Sequence, residues 1–296
     1  MNWIHELKEY KKVPNPILPS LKYMVYALLC LATFSLSSSF LPASYVWSEE
    51  FTSHSFVYRL AYTFVSWMGQ RQFYYIAFMF ETSDIIASGL GYNGRKLVEG
   101  VSKDSPVKGG DHRWDKIIGV YIYEVETATN CNSLLRAWNY RVHIWLKHYV
   151  SERLTAKDER PTTWHYLATY MISAFWHGFY PLYYVNFFLV AVASFVHKDF
   201  YNMWILFKPI PRPIRIGLCI FLNMFTVNYI GMMQTALTIE HGFKFLKATY
   251  YFVPIMLIIT LTATRSLGLV RLAKKLELKE REQASADTHQ ANKKTQ

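Results

Sequence analysis

Blocks of consecutive apolar residues, several of them about 20 residues long, constrain the fold of this chain more than any other feature. A helix needs roughly 20 apolar residues to cross the hydrocarbon core of a bilayer. Five blocks approach that length: 23–41, 164–180, 182–196, 214–233 and 250–264. The chain has only 18% charged but 17% aromatic residues, which argues against an ordinary soluble domain and against a disordered chain. The sequence therefore predicts an all-α, polytopic transmembrane helix bundle.

Two weaker apolar segments, 56–68 and 73–90, lie between the first two blocks and are interrupted by the charged residues Arg59, Arg71, Glu81 and Asp84. A charge near the middle of a bilayer costs about 2.5–3.5 kcal/mol on insertion scales, so these side chains are expected to face a protein interior or a wet cavity. Residues 1–264 are predicted to form one membrane domain. Residues 265–296 are predicted to form a polar cytosolic tail that is disordered from about residue 273 onward.

The distribution of Lys and Arg predicts an orientation in the membrane. The basic regions 93–163 and 197–212 and the tail are assigned to the cytosol, as is the N-terminal stretch with Lys8, Lys11 and Lys12. The loop 42–55 contains Glu49 and Glu50 but neither Lys nor Arg, and it is assigned to the lumen. These assignments agree only if one of the two weaker segments is re-entrant or bent and does not span.

The net charge of +11 is spread over loops and a tail that flank the apolar blocks. Anionic lipid headgroups or an anionic soluble substrate are therefore expected as partners, and nucleic acid is not. Three widely spaced cysteines give neither a disulfide framework nor a CxxC metal site. The charged, proline-containing start of the chain does not resemble a cleaved signal peptide.

His177 is a candidate for chemistry because it is an ionisable residue at the end of an apolar block, in the segment SAFWHGFYP. Such a residue is a functional-site hypothesis by default. The alternative is a neutral histidine that hydrogen-bonds to a neighbouring helix, and the sequence pattern alone leaves the two about equally open. Pro181, four residues later, is expected to break or bend the helix.

The stretch 134–150 lacks Gly and Pro, and its apolar residues recur at helical spacing. One predicted face holds Trp138, Val142, Trp145 and Tyr149. An adjacent face holds Asn139, His143 and Leu146, and positive charge comes from Arg136, Arg141 and Lys147. Taken by itself, this pattern is typical of an amphipathic helix that lies on an anionic membrane surface.

Other motifs are weaker. The segment 89–94 matches GxGxxG, but an apolar block precedes it and a charged, proline-containing loop follows it, so it is interpreted as a tight turn and not as a nucleotide site. His143 and His148 are five residues apart, and no carboxylate or cysteine completes a metal-ligand set, so no metal is expected. A GxSxG nucleophile motif is also missing.

The segments 138–147 and 173–181 together resemble the membrane-bound O-acyltransferase superfamily, in particular its lysophospholipid acyltransferase branch. Members of that branch carry a similar WN…WLK segment, followed a few dozen residues later by a WHG…PxYY segment. The segment 89–94 is similar to a glycine-rich loop of the branch, and 125–129 is similar to a short segment before the WN helix. Similarity extends from about residue 15 to about residue 265. It departs at Leu182, where relatives usually have Gly.

Relatives carry several more membrane helices ahead of the matched region, so the chain resembles the C-terminal part of such a protein, an N-terminally short bundle. The resemblance implies an acyl-CoA-dependent lysophospholipid O-acyltransferase, with acyl-CoA and a lysophospholipid as substrates and no bound cofactor. His177 would be its catalytic base. Asn139 would orient that base or the hydroxyl, or donate to the oxyanion. Homo-oligomerisation stays open.

The resemblance also suggests where the substrates bind. Arg136, Arg141 and Lys147 would line a cytosolic mouth for the phosphates of coenzyme A. Trp138, Trp145 and Trp176 would line the substrate chamber. If the block that begins at residue 164 enters the membrane from the cytosol, His177 lies about 20 Å deep at 1.5 Å per residue, and Asn139 must reach the same depth.

Two rival functions are retained, and a location is predicted. The first rival is a protein or sterol acyltransferase of the same superfamily, and the second is a truncated, non-catalytic membrane protein that scaffolds or regulates a full-length acyltransferase. The last four residues have the form of a dilysine retrieval signal, with Lys293 and Lys294 fourth and third from the end. The predicted location is therefore the endoplasmic reticulum membrane.

Overall fold

The computed structural model describes residues 13–95, 111–156 and 158–294, and within these ranges the protein consists of α-helices and connecting turns without a β-strand. The predicted all-α architecture is confirmed. The N-terminal lysines Lys8, Lys11 and Lys12 and the last two residues of the predicted retrieval signal lie outside the described residues. The helices are α1 (Ile17–Phe40), α2 (Glu49–Ser53), α3 (Phe56–Ala87), α4 (Ile122–Glu126), α5 (Cys131–Ala137), α6 (Tyr140–Leu146), α7 (Glu152–Leu154), α8 (Thr163–His177), α9 (Pro181–Asn202), α10 (Arg212–Gln234), α11 (Ile239–Ala248), α12 (Phe252–Ser266) and α13 (Leu269–Lys294).

Helix α3 joins the two weaker apolar segments into one helix of 32 residues, so the predicted bent or re-entrant segment is wrong. It packs antiparallel to α1. The hydroxyls of Ser20 and Ser83 lie 3.0 Å apart at one end of the pair, and Ser37 contacts Gly69 toward the other. Whether α3 crosses the membrane, and with it the orientation assigned from the charge pattern, stays a prediction.

Two of the four charged residues of α3 face the protein interior, as predicted. Arg59 donates to the carbonyl of Ala248, the last residue of α11, where the negative end of the helix dipole stabilises a cation. Arg71 is buried in an ion pair described below. Glu81 and Asp84 are exposed, close to the end of α3 at Ala87.

Among the described helices, two are long and apolar enough to cross a membrane, Ile17–Trp47 (α1 with the 3₁₀ turn after it) and Arg212–Gln234 (α10). Helices α11 and α12 meet the same criterion of length and hydropathy only when they are taken together, and a bend of 73° separates them. The blocks 164–180 and 182–196 are helical, as α8 and α9, and their assignment as spans stays a prediction. Helix α9 packs against α8, α10 and α12.

The connection between α8 and α9 follows the sequence prediction. Helix α8 ends at His177, Gly178 adopts φ +126°, and Pro181 is the first residue of α9. Proline suits that position because its fixed φ fits a helix and its missing N–H is not needed in the first turn. Pro181 therefore separates two helices, as expected.

The predicted turn at 89–94 is also confirmed. Gly89 and Gly94 have φ values of +81° and +75°, which glycine adopts without steric cost. After the turn, Asn93 N–H donates to the Arg113 carbonyl and Arg113 N–H donates to the Gly94 carbonyl, both at 2.8 Å. The described element before the segment is helix α3, and not the strand that a dinucleotide site requires.

The predicted disorder of the tail is wrong for residues 273–294, which belong to helix α13. Ala273 is completely buried near its start, and Lys208, in the turn before α10, forms an ion pair with Glu280. Glu277 and Arg281, four residues apart, form a second pair along the helix. The abundance of Lys, Glu, Leu and Ala favours a helix even in a polar segment.

Candidate active site

Asn139 lies at a sharp bend between α5 and α6. Its backbone has φ 42° and ψ 55°, the left-handed conformation that Asn tolerates better than most residues. Two backbone hydrogen bonds hold the bend from a distant segment, because Tyr140 N–H donates to Gly119 at 2.7 Å and Tyr121 N–H donates to Ala137 at 3.1 Å. The single helix predicted for 134–150 is therefore wrong, since its backbone is interrupted at Trp138 and Asn139.

The interruption separates the two tryptophans that the sequence placed on one face. Trp138 packs its ring against Tyr74, Tyr75 and Phe78 of α3, at centroid distances of 5.5–5.8 Å. Trp145 instead stacks on Tyr149 at 6.1 Å, and both rings are largely exposed. Of these two tryptophans, Trp138 faces the interior of the bundle, whereas Trp145 does not line an enclosed space within the described residues.

His177 lies at the exposed end of α8, surrounded by aromatic rings. Its imidazole is 5.0 Å from the ring of Phe187, 5.1 Å from Trp176 and 6.0 Å from Tyr183, all between centroids. Phe175, Trp176 and Phe179 beside it are more than half exposed, so this end of α8 presents an apolar aromatic surface.

A tyrosine packs on each of the two motif segments. Tyr74 of α3 packs on Trp138 at 5.5 Å, and Tyr183 of α9 packs on His177 at 6.0 Å. Both the segment with Asn139 and the end of α8 therefore lie among aromatic rings. Within residues 13–95, 111–156 and 158–294 the side chains of Asn139 and His177 form no hydrogen bond, with each other or with other groups.

The three basic residues predicted near the coenzyme lie along α5 and α6. Arg136 and Lys147 are exposed, and Arg141 is half-buried with its guanidinium 5.5 Å from the Tyr140 ring. Burial, together with the charges of Arg136 and Lys147, lowers the pKa of His143 below its usual value. Arg141 Nε is buried without a hydrogen-bond partner in the described part of the chain.

An ion pair near Trp138, between a buried arginine and a partly exposed glutamate, was not predicted. Arg71 on α3 donates to both carboxylate oxygens of Glu126 at 3.0 and 2.7 Å, and the Tyr75 hydroxyl donates to one of them at 2.6 Å. Arg71 also donates to Asn228 of α10 at 2.6 Å. A sequence signal for this pair exists. A charge within an apolar segment implies a partner of opposite charge, and Glu126 is a carboxylate inside the short segment before the WN motif.

The architecture and the two motif segments define the class of this protein: an all-α integral membrane protein with a WN segment and a WHG segment, each packed among aromatic rings. A model of the membrane-bound O-acyltransferase family matches residues 2–231, more than half of the chain, and the chain belongs to that family. The expected family and its fold are thereby confirmed.

The chain is similar to several curated members. It is 34% identical to the lysophospholipid acyltransferase of Saccharomyces cerevisiae over 62% of the chain and 28% of that protein. It is 26% identical to lysophospholipid acyltransferase 1 of Arabidopsis thaliana, over 84% of the chain and 52% of the relative. Rat membrane-bound glycerophospholipid O-acyltransferase 2 is 27% identical over 85% of the chain and 46% of the relative. The chain thus spans about half the length, or less, of the curated relatives it matches.

Proposed function

We propose that this protein transfers a fatty acyl group from acyl-CoA to the free hydroxyl of a lysophospholipid, giving a diacyl phospholipid and coenzyme A. The observation that carries the proposal is the aromatic packing of both motif segments, with Tyr74 on Trp138 beside Asn139 and Tyr183 on His177. The relatives also support the proposal, because the matched proteins are lysophospholipid and glycerophospholipid acyltransferases.

His177 acts as general base in this mechanism. As the lysophospholipid oxygen attacks the thioester carbonyl carbon, the imidazole accepts the hydroxyl proton. The carbonyl oxygen carries the negative charge of the tetrahedral intermediate, and its collapse breaks the C–S bond. The coenzyme A thiolate then takes the proton from the imidazolium, which restores the neutral base. A base of this kind contributes about 10²- to 10⁴-fold to the rate.

Asn139 supplies a carboxamide that can donate to the oxyanion or orient the acceptor hydroxyl. Both roles need a fixed amide, because a preorganised donor stabilises developing charge without reorganising during the reaction. The left-handed backbone at Asn139, held by Gly119 and Tyr121, fixes the direction in which its side chain leaves the chain. This rigidity supports a role in the site.

The parts of the two substrates suit two kinds of surface, one basic and one aromatic. Arg136, Arg141 and Lys147 carry the positive charge that suits the phosphates of coenzyme A. The acyl chain and the lysophospholipid tail suit the aromatic surface formed around Trp138 and Trp176. The exposed pair of Trp145 and Tyr149 is assigned to the membrane interface, where aromatic rings are favoured. The location that fits this chemistry and the dilysine-like end is the endoplasmic reticulum membrane.

The decisive experiment uses the full chain reconstituted in lipid vesicles, with radiolabelled acyl-CoA and a panel of lysophospholipids. We expect labelled diacyl phospholipid from the parent chain and a loss of about 10²-fold or more in His177→Ala. The matched control is His241→Ala, because His241 also packs on a tryptophan, Trp47, at 5.0 Å. Equal transfer by His177→Ala and the parent chain would refute the role of His177. Labelled peptide or sterol instead of phospholipid would favour the rival acceptors.

A non-catalytic scaffold is the second candidate, and the exposure of His177 in the described structure favours it. In this alternative the aromatic end of α8 binds a full-length acyltransferase. The same vesicles test the idea, because a scaffold would show no transfer alone and would change the activity of a co-reconstituted full-length relative. Transfer by the chain alone excludes it.

A further inference from the structure

A buried polar junction joins the helices that carry the two motif segments. Tyr170 of α8 lies with its hydroxyl 2.8 Å from Ser194 Oγ of α9, and the Ser194 hydroxyl donates to Cys131 Sγ at the start of α5, at 3.4 Å. Because Ser194 has a single hydroxyl proton, the Tyr170 hydroxyl is the donor in the first of these bonds. The result is one directed hydrogen-bond chain from α8 through α9 to α5.

Further hydrogen bonds fix the first turn of α5 to α9. Cys131 N–H donates to His197 Nδ1 at 2.9 Å, so this nitrogen carries no proton, and the Asn132 amide donates to the Ser194 carbonyl at 3.5 Å. Ser194 and Cys131 are almost completely buried. Leaving a buried polar group without its partner costs about 1–3 kcal/mol, so α5 cannot slide along α9 cheaply.

The junction is close in sequence to both motif residues. Tyr170 precedes His177 by seven residues, nearly two turns of α8, which places the two on the same side of that helix about 10 Å apart. Cys131 precedes Asn139 by eight residues, with only α5 and the bend between them. The helix that carries His177 and the helix that leads to Asn139 are therefore joined by the same hydrogen-bonded junction.

We propose that Tyr170 and Ser194 are positioning residues, which set the end of α8 with His177 relative to the α5–α6 bend with Asn139 through their hydroxyl contacts. Neither residue touches the reacting groups. The catalytic consequence rests on the proposed function, whereas the positional consequence can be measured without turnover. Loss of one hydroxyl removes a link of the chain and lets the two segments move independently.

The test compares Tyr170→Phe and Ser194→Ala with Tyr229→Phe. Tyr229 is the matched control because it is a buried tyrosine whose hydroxyl also contacts a side-chain hydroxyl, that of Thr249, but at the junction of α10 with the α11–α12 turn. Each tyrosine variant removes one buried phenol hydroxyl and keeps the ring. If these hydroxyls only stabilised the fold, all three variants would change the readouts below to the same extent.

The first readout is the distance distribution between two spin labels, measured by pulsed electron paramagnetic resonance in lipid nanodiscs. Labels are attached through Phe179→Cys beside His177 and Tyr149→Cys beyond α6, since both rings are exposed. Cys30 and Cys219 are replaced by alanine, and Cys131 is too buried to react. We expect a broader distribution in Tyr170→Phe and Ser194→Ala than in the parent and in Tyr229→Phe. Equal widths in all four proteins would overturn the proposal.

The second readout is steady-state acyl transfer. Displacement of a catalytic group by about 1 Å can cost on the order of 10²-fold in rate, so we expect kcat to fall about 10- to 100-fold in Tyr170→Phe and Ser194→Ala, with KM for both substrates unchanged. A raised KM with unchanged kcat would overturn positioning in favour of substrate binding. If the parent chain transfers no acyl group, the proposed function fails, and the spin-label distances alone decide whether the junction sets the geometry.

Discussion

Arg71 and Glu126 form a two-point ion pair inside the helix bundle, with nitrogen–oxygen distances of 3.0 and 2.7 Å and an arginine side chain only 3% exposed. The pair connects α3 to α4, Asn228 extends it to α10, and Tyr75 of α3 adds a second donor to the carboxylate. Tyr75 also packs on Trp138. Through Tyr75, the ion pair therefore stabilises the part of α3 against which Trp138 of the WN segment packs.

Removing the carboxylate from this pair is expected to destabilise the protein strongly. In Glu126→Ala the guanidinium of Arg71 stays buried without its charge partner. Breaking a fully buried pair in this way costs about 3–5 kcal/mol, and because the Glu126 side chain is 31% exposed we expect a loss of about 3 kcal/mol, the lower end of this range. The measurement is the melting temperature in detergent. The control is Glu277→Ala, which breaks the exposed pair with Arg281 on α13 and is expected to change stability by less than about 1 kcal/mol. Equal melting temperatures for the two variants would contradict the buried pair.

Close packing of α10 against α3 gives a second prediction. A Cβ added at Gly231 would lie 2.2 Å from Trp67 Cε2, whereas a Cβ at Gly217 on the same helix meets nothing within 4 Å. Gly231→Ala must therefore displace a large buried ring, and overpacking of this kind costs about 1–3 kcal/mol. Gly217→Ala is expected to be neutral or to stabilise the helix by up to about 1 kcal/mol. Thermal unfolding of both variants in the same detergent checks the contrast, and similar loss in both would refute it.

The sequence predicted the parts of the fold that depend on local chemistry. Apolar blocks located helices α1, α10 and α12, Pro181 located the break between α8 and α9, and glycines located the turn at 89–94. Each of these follows from a property of the residue itself: transfer free energy, a fixed φ or freedom at positive φ.

The bend at Asn139 and the helix α13 could not be predicted from the same rules. The bend is held by Gly119 and Tyr121, which lie about 20 residues earlier, and helical periodicity carries no information about such contacts. Helix α13 was missed because a polar composition suggests disorder, whereas ion pairs and the burial of Ala273 stabilise it. The packing of Tyr74 of α3 on Trp138, and of Tyr183 of α9 on His177, likewise depends on contacts between separate helices.

Because Asn139 has a left-handed backbone, two substitutions can separate its contribution to stability from its contribution to the reaction. Asn139→Gly keeps access to that conformation, so we expect near-parental stability together with loss of acyl transfer, because the amide is gone. Asn139→Ala loses the amide and also pays about 1–2 kcal/mol for left-handed geometry. Melting temperature and transfer rate, measured on both variants, distinguish the two contributions. Retained transfer in Asn139→Gly would show that the carboxamide takes no part in the reaction.

Gly178, directly after His177, offers the sharpest test of how the end of α8 is held. Its φ of +126° and ψ of −175° fall in a region that is open essentially to glycine alone, and a Cβ there would still have nothing closer than 3.9 Å. Any loss in Gly178→Ala therefore comes from backbone strain and not from collision. We expect about 1–3 kcal/mol of strain, relieved by a local change in the turn that shifts His177 and lowers acyl transfer more than it lowers the melting temperature. Gly94→Ala is the matched control, because Gly94 has φ +75° and open space around it but lies far along the chain from His177. Comparable loss of transfer in both variants would mean that the turn at Gly178 does not set the position of the imidazole.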